Sequence, residues 1–103
     1  MNVSPTADGL VLTGSLDARS VAVVRTALAR TLDEVPFGDV VLDVSGVDSV
    51  DATGLAVLAA AHRRAHQEGR QLVLRGCHGS LRRVLAKTKL TRVLRLEPAE
   101  VSV

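Results

Sequence analysis

The stretch Asp43-Val-Ser-Gly-Val-Asp-Ser-Val-Asp-Ala-Thr-Gly-Leu55 gathers three carboxylates and three hydroxyls into thirteen residues. Two kinds of chemistry suit that mixture. One is the capping of a helix: Asp51 or Thr53 can accept a free backbone N–H at a helix start, worth about 1 kcal/mol, while Gly54 lets the chain turn. The other is phosphoryl acceptance. A hydroxyl at a helix N-terminus lies beside unpaired N–H groups and the positive end of the helix dipole, both of which favour a dianionic phosphate, so Thr53 is a candidate acceptor.

Other arrangements carry less. His62 and His66 are spaced i, i+4, which can hold a metal, but only Glu68 lies nearby in sequence and a solvated helix face is the expectation. Ser45 or Ser49 with His78 could form a nucleophile and base, yet nothing in their spacing assembles one. Cys77 is the only cysteine, so no internal disulfide is available, and no activating feature precedes Ser80; a buried or half-buried thiol is expected. Neither Gly-x-Gly-x-x-Gly nor Gly-x-x-x-x-Gly-Lys-Ser/Thr occurs. No enzymatic activity, cofactor or metal is expected.

The elements that position these residues follow from periodicity. Gly9 to Leu16 is β-rich and ends at Asp17, which is placed to cap a helix carrying Val21, Val24, Leu28 and Leu32 on one stripe. Pro36 and Gly38 break that helix. Asp39 to Val44 is a nearly continuous apolar run, as in a strand covered on both faces. Ser45 to Asp51 is polar and turn-like, and a helix is expected to begin near Thr53-Gly54, with a stripe of Leu55, Leu58, Ala59, His62 and Ala65 and a stop at Gly69. Gln71 to Arg75 makes a further strand, Leu81, Val84, Leu85 and Thr88 a third helical stripe, and Arg92 to Leu96 a last strand before Pro98. Met1 to Pro5 can add an edge strand. The order predicts one α/β domain over residues 1–103, with a mixed, mostly parallel sheet of four to five strands and helices from the crossovers. Leu42, Val40, Leu55, Leu58, Leu72, Leu74, Val84 and Leu94 are expected in its core.

Composition narrows the function. At 47% hydrophobic and 1% aromatic, with Phe37 alone, the core must be Val, Leu and Ala, and recognition of single-stranded nucleic acid by stacking is disfavoured. Residues 1–53 carry eight acids against three arginines and residues 54–103 ten basic residues against three acids, but the basic residues are spread over several elements, so a solvated face is expected rather than direct nucleic-acid binding. No membrane span and no signal peptide are evident, and the chain is expected to be cytoplasmic, without membrane insertion.

The segment ending in Asp51-Ala-Thr-Gly-Leu55 resembles the signature of STAS domains, the fold shared by anti-sigma factor antagonists and the cytoplasmic tails of sulfate transporters. In antagonists the residue directly before the Gly is phosphorylated, here Thr53. Gly14-Ser-Leu-Asp17 resembles the family's Gly-Glu-Leu-Asp, and Ser80 to Leu94 its third helix and last strand, so the resemblance covers about residues 9–96. It implies a phosphorylation-controlled antagonist that binds an anti-sigma factor acting as a serine-threonine kinase, releases a sigma factor, and is restored by a phosphatase. By carry-over Thr53 is the phosphoacceptor, Asp51 its acidic neighbour and Asp17 an acid facing the same pocket; Ser49, Ala52, Gly54 and Leu55 complete the partner-binding surface. The alternative is a stand-alone STAS subunit regulating the ATPase of a lipid-transporting ABC system. Three residues or segments depart from the pattern. Ala52 replaces the usual Ser, Lys89 stands where a Gly is common and would carry about 1 kcal/mol if left-handed, and after Pro98 a fourth helix is expected to be short or absent.

Overall fold

The computed structural model describes residues 1–90 and 94–98. Five strands and three helices follow one another in this span: β1 (Asn2–Pro5), β2 (Gly9–Leu16), α1 (Val21–Glu34), β3 (Val40–Val50), α2 (Ala52–Gln67), β4 (Leu72–Arg75), α3 (Gly79–Lys87) and β5 (Arg95–Glu97). The sheet order is β1-β2-β3-β4-β5, antiparallel between β1 and β2 and parallel thereafter. Asn2–Pro5, within the stretch expected to add an edge strand, thus supplies it. The first residues expected in the last strand, and the tail beyond Pro98, lie outside the described residues.

Three crossovers that step in the same direction with one hand put all their helices on one face of the sheet. Leu10, Leu42 and Leu74 stand side by side in register on that face, beneath Val24, Leu28 and Leu32 of α1, Val57, Leu58, Ala61 and Ala65 of α2, and Leu81 and Leu85 of α3. Among the described residues helices cover only this face of β3, yet Val41 on its other face is also buried, so the middle of the apolar run is shielded on both sides as expected. That other face carries Val41 beside Val73, and next to them Asp43, Arg75 and Glu97 in register, with Arg75 bonded to Glu97 at 3.5 Å. The apolar run read as doubly covered reflects Val41 packing against its strand neighbours.

The start of α1 and the buried faces of α2 and α3 differ from expectation. Asp17 does not cap α1, which begins at Val21 with Ser20 before it and no side-chain cap bond. The Ser20 hydroxyl donates instead to Ser15 O at 2.8 Å, and the Asp17 carboxylate accepts the Arg19 N–H, so both residues shape the turn. On α2 the buried face is Gly54, Val57, Leu58, Ala61 and Ala65; Leu55, Ala59 and His62 are only half-buried. The small residues face the sheet because they allow the helix to lie close to it, which displaces the larger Leu55 to the flank. Val84 is likewise half-buried, since short α3 docks through Leu81 and Leu85. Lys89 has φ 62°, the left-handed conformation at the position where the resemblance expects Gly.

The largest departure concerns residues 45–50, which are strand and not loop. β2 pairs Val11 with Asp43 and then Thr13 with Gly46; it pairs Gly14 with Val47 and then Ser15 with Ser49. At each step β3 holds one residue more than β2, a β-bulge. Gly46 sits against the first bulge, where a Cβ would come within 2.5 Å of Thr13 Cγ2.

Candidate functional site

The carboxyl ends of β2 and β3 meet the start of α2, and Asp51 joins them. Its backbone N–H donates to Leu16 O at 3.1 Å, its Oδ1 accepts the Gly54 N–H at 2.9 Å as the N-cap of α2, and its Oδ2 accepts the Ala18 N–H at 3.1 Å. One carboxylate therefore fastens the first turn of α2 to the turn before α1. The Gly54 N–H holds the Asp51 carboxyl below its usual value, with the Ala18 and Thr53 N–H groups adding to this and desolvation opposing it. Asp51 is ionised at neutral pH.

Gly54 has a steric task. A Cβ there would lie 2.2 Å from Leu16 O and 2.7 Å from Leu16 Cγ, so only a bare Cα lets the first turn of α2 press against the end of β2. The helix starts at Ala52 and Thr53 is its second residue, exposed, its hydroxyl taking no part in the cap. Capping is thus assigned to Asp51, leaving Thr53 Oγ1 open at the helix N-terminus.

The remaining sequence-derived residues are gathered unevenly. Ala52 is exposed and Leu55 half-buried beside Thr53. Ser49 pairs with Ser15 in the sheet and faces out, one step before Val50 and Asp51. Asp17 lies in the turn whose next residue, Ala18, bonds Asp51, but its own carboxylate is bound to the Arg19 N–H; it borders the site rather than reaching Asp51.

Five residues outside that set shape the approach. Ser15 Oγ donates to Asp48 Oδ1 at 3.1 Å, Ser80 Oγ donates to Asp48 O at 3.3 Å, and His78 Nε2 lies 2.7 Å from Ser45 O. β4 ends at Arg75, so the outer side of β3 beyond Asp43 has no neighbouring strand, and His78 and Ser80 from the start of α3 reach its carbonyls instead. These contacts span 32 or 33 residues, and no local pattern in the sequence marks them.

Elsewhere the chemistry is quiet. Burial pushes the Cys77 thiol above its usual value, with Arg82 partly opposing, so the thiol stays protonated near neutral pH. The His62 and His66 rings stack 5.9 Å apart, and among the described residues no group of three or more His, Cys, Asp or Glu side chains is placed to hold a metal ion. No helix among them is long and apolar enough to cross a membrane.

Comparison with known proteins bears on this geometry. A family model described as "Mlab, STAS domain" matches residues 2–97. A Thermotoga maritima protein named as a candidate anti-sigma factor antagonist is 18% identical and superposes with a TM-score of 0.79, covering 97% of this chain and 86% of that one. An anti-sigma factor antagonist from Mycobacterium paratuberculosis is 24% identical, with a TM-score of 0.74 and coverage of 95% and 84%. The Bacillus cell fate determinant SpoIIAA, in its phosphorylated form, is 16% identical, with a TM-score of 0.71 and coverage of 96% and 90%. At such identities the structural likeness establishes a shared fold.

Proposed function

This chain belongs to the STAS-domain family, and on that premise we propose that it is an anti-sigma factor antagonist whose binding to an anti-sigma factor kinase is switched off by phosphorylation of Thr53. The observation that carries the proposal is the division of labour at the start of α2. Asp51 caps the helix and ties it to the turn before α1, while the Thr53 hydroxyl stands exposed and unused by the fold. A kinase can therefore modify it without dismantling the helix. Phosphate adds a charge of about −1.5 to −2. The Gly54 N–H that would otherwise welcome it is already held by ionised Asp51, so the phosphate adds to an acidic surface that includes Asp48 and Asp17. A partner seated on the start of α2 must then desolvate that charge. In this reading the protein performs no turnover of its own, and a phosphatase restores the binding state.

The test is binding and stability of two variants against the cognate kinase. Thr53→Ala should abolish phosphate incorporation, keep partner binding and leave the thermal midpoint nearly unchanged, because the cap is Asp51. Thr53→Glu should fold and bind at least tenfold more weakly, equivalent to about 1.4 kcal/mol. Wild-type affinity in Thr53→Glu would sink the switch. Ala52, which removes the second hydroxyl of the motif, keeps one other reading in view: a subunit seated on the ATPase of a lipid-transporting ABC system with no phosphate cycle. Retention of an ABC ATPase, and no kinase, on the immobilised protein would establish that reading in place of the first.

A further inference from the structure

Phe37 is the only aromatic residue of the chain, and 81% of its surface is exposed. An isolated apolar residue in water is ordinary, but this one is held in place. Arg70, only 8% exposed, donates Nε to Gly38 O at 3.0 Å and Nη1 to Leu32 O at 3.0 Å, so a buried guanidinium fastens both ends of the loop that carries the ring. Gly38 completes the turn at φ 87°. These bonds, with a further one from Nη1 to Glu68 Oε1 at 3.3 Å, hold the backbone of the loop beneath the ring, while Nη2 is buried without a partner among the described residues. Preorganisation of that kind lowers the entropy lost on docking.

The same molecule offers a matching cavity. Between α1 and α2 lies an open groove of about 170 Å³ floored by Leu28, Leu32, Val57 and Ala61, with Arg25 and Arg64 at its rim. A cavity of roughly 150 Å³ accepts a benzene ring, so the groove has room for one phenyl group. The charges also match. Arg64 is held by its own Asp33 and Glu68, whereas Arg25 has no ion pair among the described residues; nor has Glu34, the last residue of α1 before the Phe37 loop. We propose that a second copy of this chain seats its Phe37 in the groove between α1 and α2, bringing Glu34, beside the ring's loop, towards Arg25 at the rim of the groove. An anionic membrane is a poor alternative for a loop flanked by Glu34, with Asp33 and Asp39 beside it already paired to Arg64 and Arg95.

The contact is small. One ring buries about 150–250 Å², well below the roughly 1,000 Å² of a stable interface, so association is weak and concentration-dependent. Ring and groove are different patches, and the contact propagates into chains unless two copies exchange rings reciprocally. Sedimentation of the full chain from about 10 μM to about 1 mM, the range in which weak complexes form, tests this directly. The weight-average mass should rise with concentration for wild type and stay monomeric for Phe37→Ala and for Ala60→Glu, an exposed position lining the groove. An equimolar mixture of the two variants should associate again, since one supplies an intact groove and the other an intact ring. Circular dichroism checks that both are folded, with Phe37→Ser and Ala29→Glu as substitutes if either is not. A monomeric wild type at the highest concentration, single variants that associate like wild type, or a mixture that stays monomeric would each overturn the proposal.

Discussion

From Val41 to Asp43, β3 is paired on both sides, to β2 and to β4, and its register is regular. From Ser45 to Val50 it is paired on one side only, carries two bulges against β2, and has side chains of the β4–α3 connection where a strand would be. The first half builds the domain and the second half presents Asp51 and Thr53 beyond the edge of the shorter strands. Stability and display are thus assigned to consecutive segments of one strand, so their sensitivities to substitution should differ in size and in kind.

The largest effect should come from the regular half. Leu42 is fully buried between Leu10 and Leu74, and Leu42→Ala should lower stability by about 2–5 kcal/mol with partner binding by the folded fraction unchanged. Chemical denaturation measures the first and titration the second; loss of affinity in protein that is still folded would erase the division.

Where the irregular half meets α2, Gly54→Ala should destabilise by about 1–3 kcal/mol, as overpacking does. The sign is informative, because Ala in place of Gly within a helix ordinarily stabilises by about 0.5–1 kcal/mol. A more stable Gly54→Ala protein would show that α2 does not press on Leu16. This variant should also weaken partner binding, in contrast to Leu42→Ala.

The smallest effect concerns Asp51 and depends on pH. Its carboxyl is depressed in the folded state, so its contribution is fully present above the unfolded value near 3.8 and is lost as pH falls below that through the folded value. Asp51→Asn should therefore have a lower thermal midpoint than wild type at neutral pH, and the gap should close in strongly acidic solution. A gap independent of pH would mean that the charge on Asp51 plays no part in joining α2 to the turn before α1.

The same contrast explains what the sequence made legible. Leu72 to Leu74, Leu81 with Leu85, and Val24 with Leu28 and Leu32 are buried in the elements expected, although Val21 and Val84 on the same stripes are only half-buried and Thr88 is exposed. Val44, Val47 and Val50 all turn toward the core although each lies three positions from the next, because each bulge inserts one residue. Period two fails there and period three suits no strand, so the segment reads as a turn. On α2 the inward face is marked by small residues, and a search for large apolar ones lands a little to one side, on Leu55 in place of Val57. Asp51 and Thr53 were found through the motif, but their roles were shared until the cap bond to Gly54 separated them. The meeting of Ser15, Asp48, His78 and Ser80 depends on β4 ending early, a property of the sheet and not of any local window.

The two bulges have a consequence for changes in chain length. Each extra residue exchanges the inner and outer faces of everything that follows, and the second exchange undoes the first, so Val50 enters α2 in the same phase in which Val40 left the Phe37 loop. Removing a single residue between Ser45 and Ser49 would turn Val50 outward and carry Asp51 away from the Gly54 and Ala18 amides. Removing one from each bulge would restore the alternation over a shorter, regular strand. In this part of the molecule it is the parity of an insertion or deletion, more than its length, that decides whether Thr53 still stands at the head of a correctly seated helix.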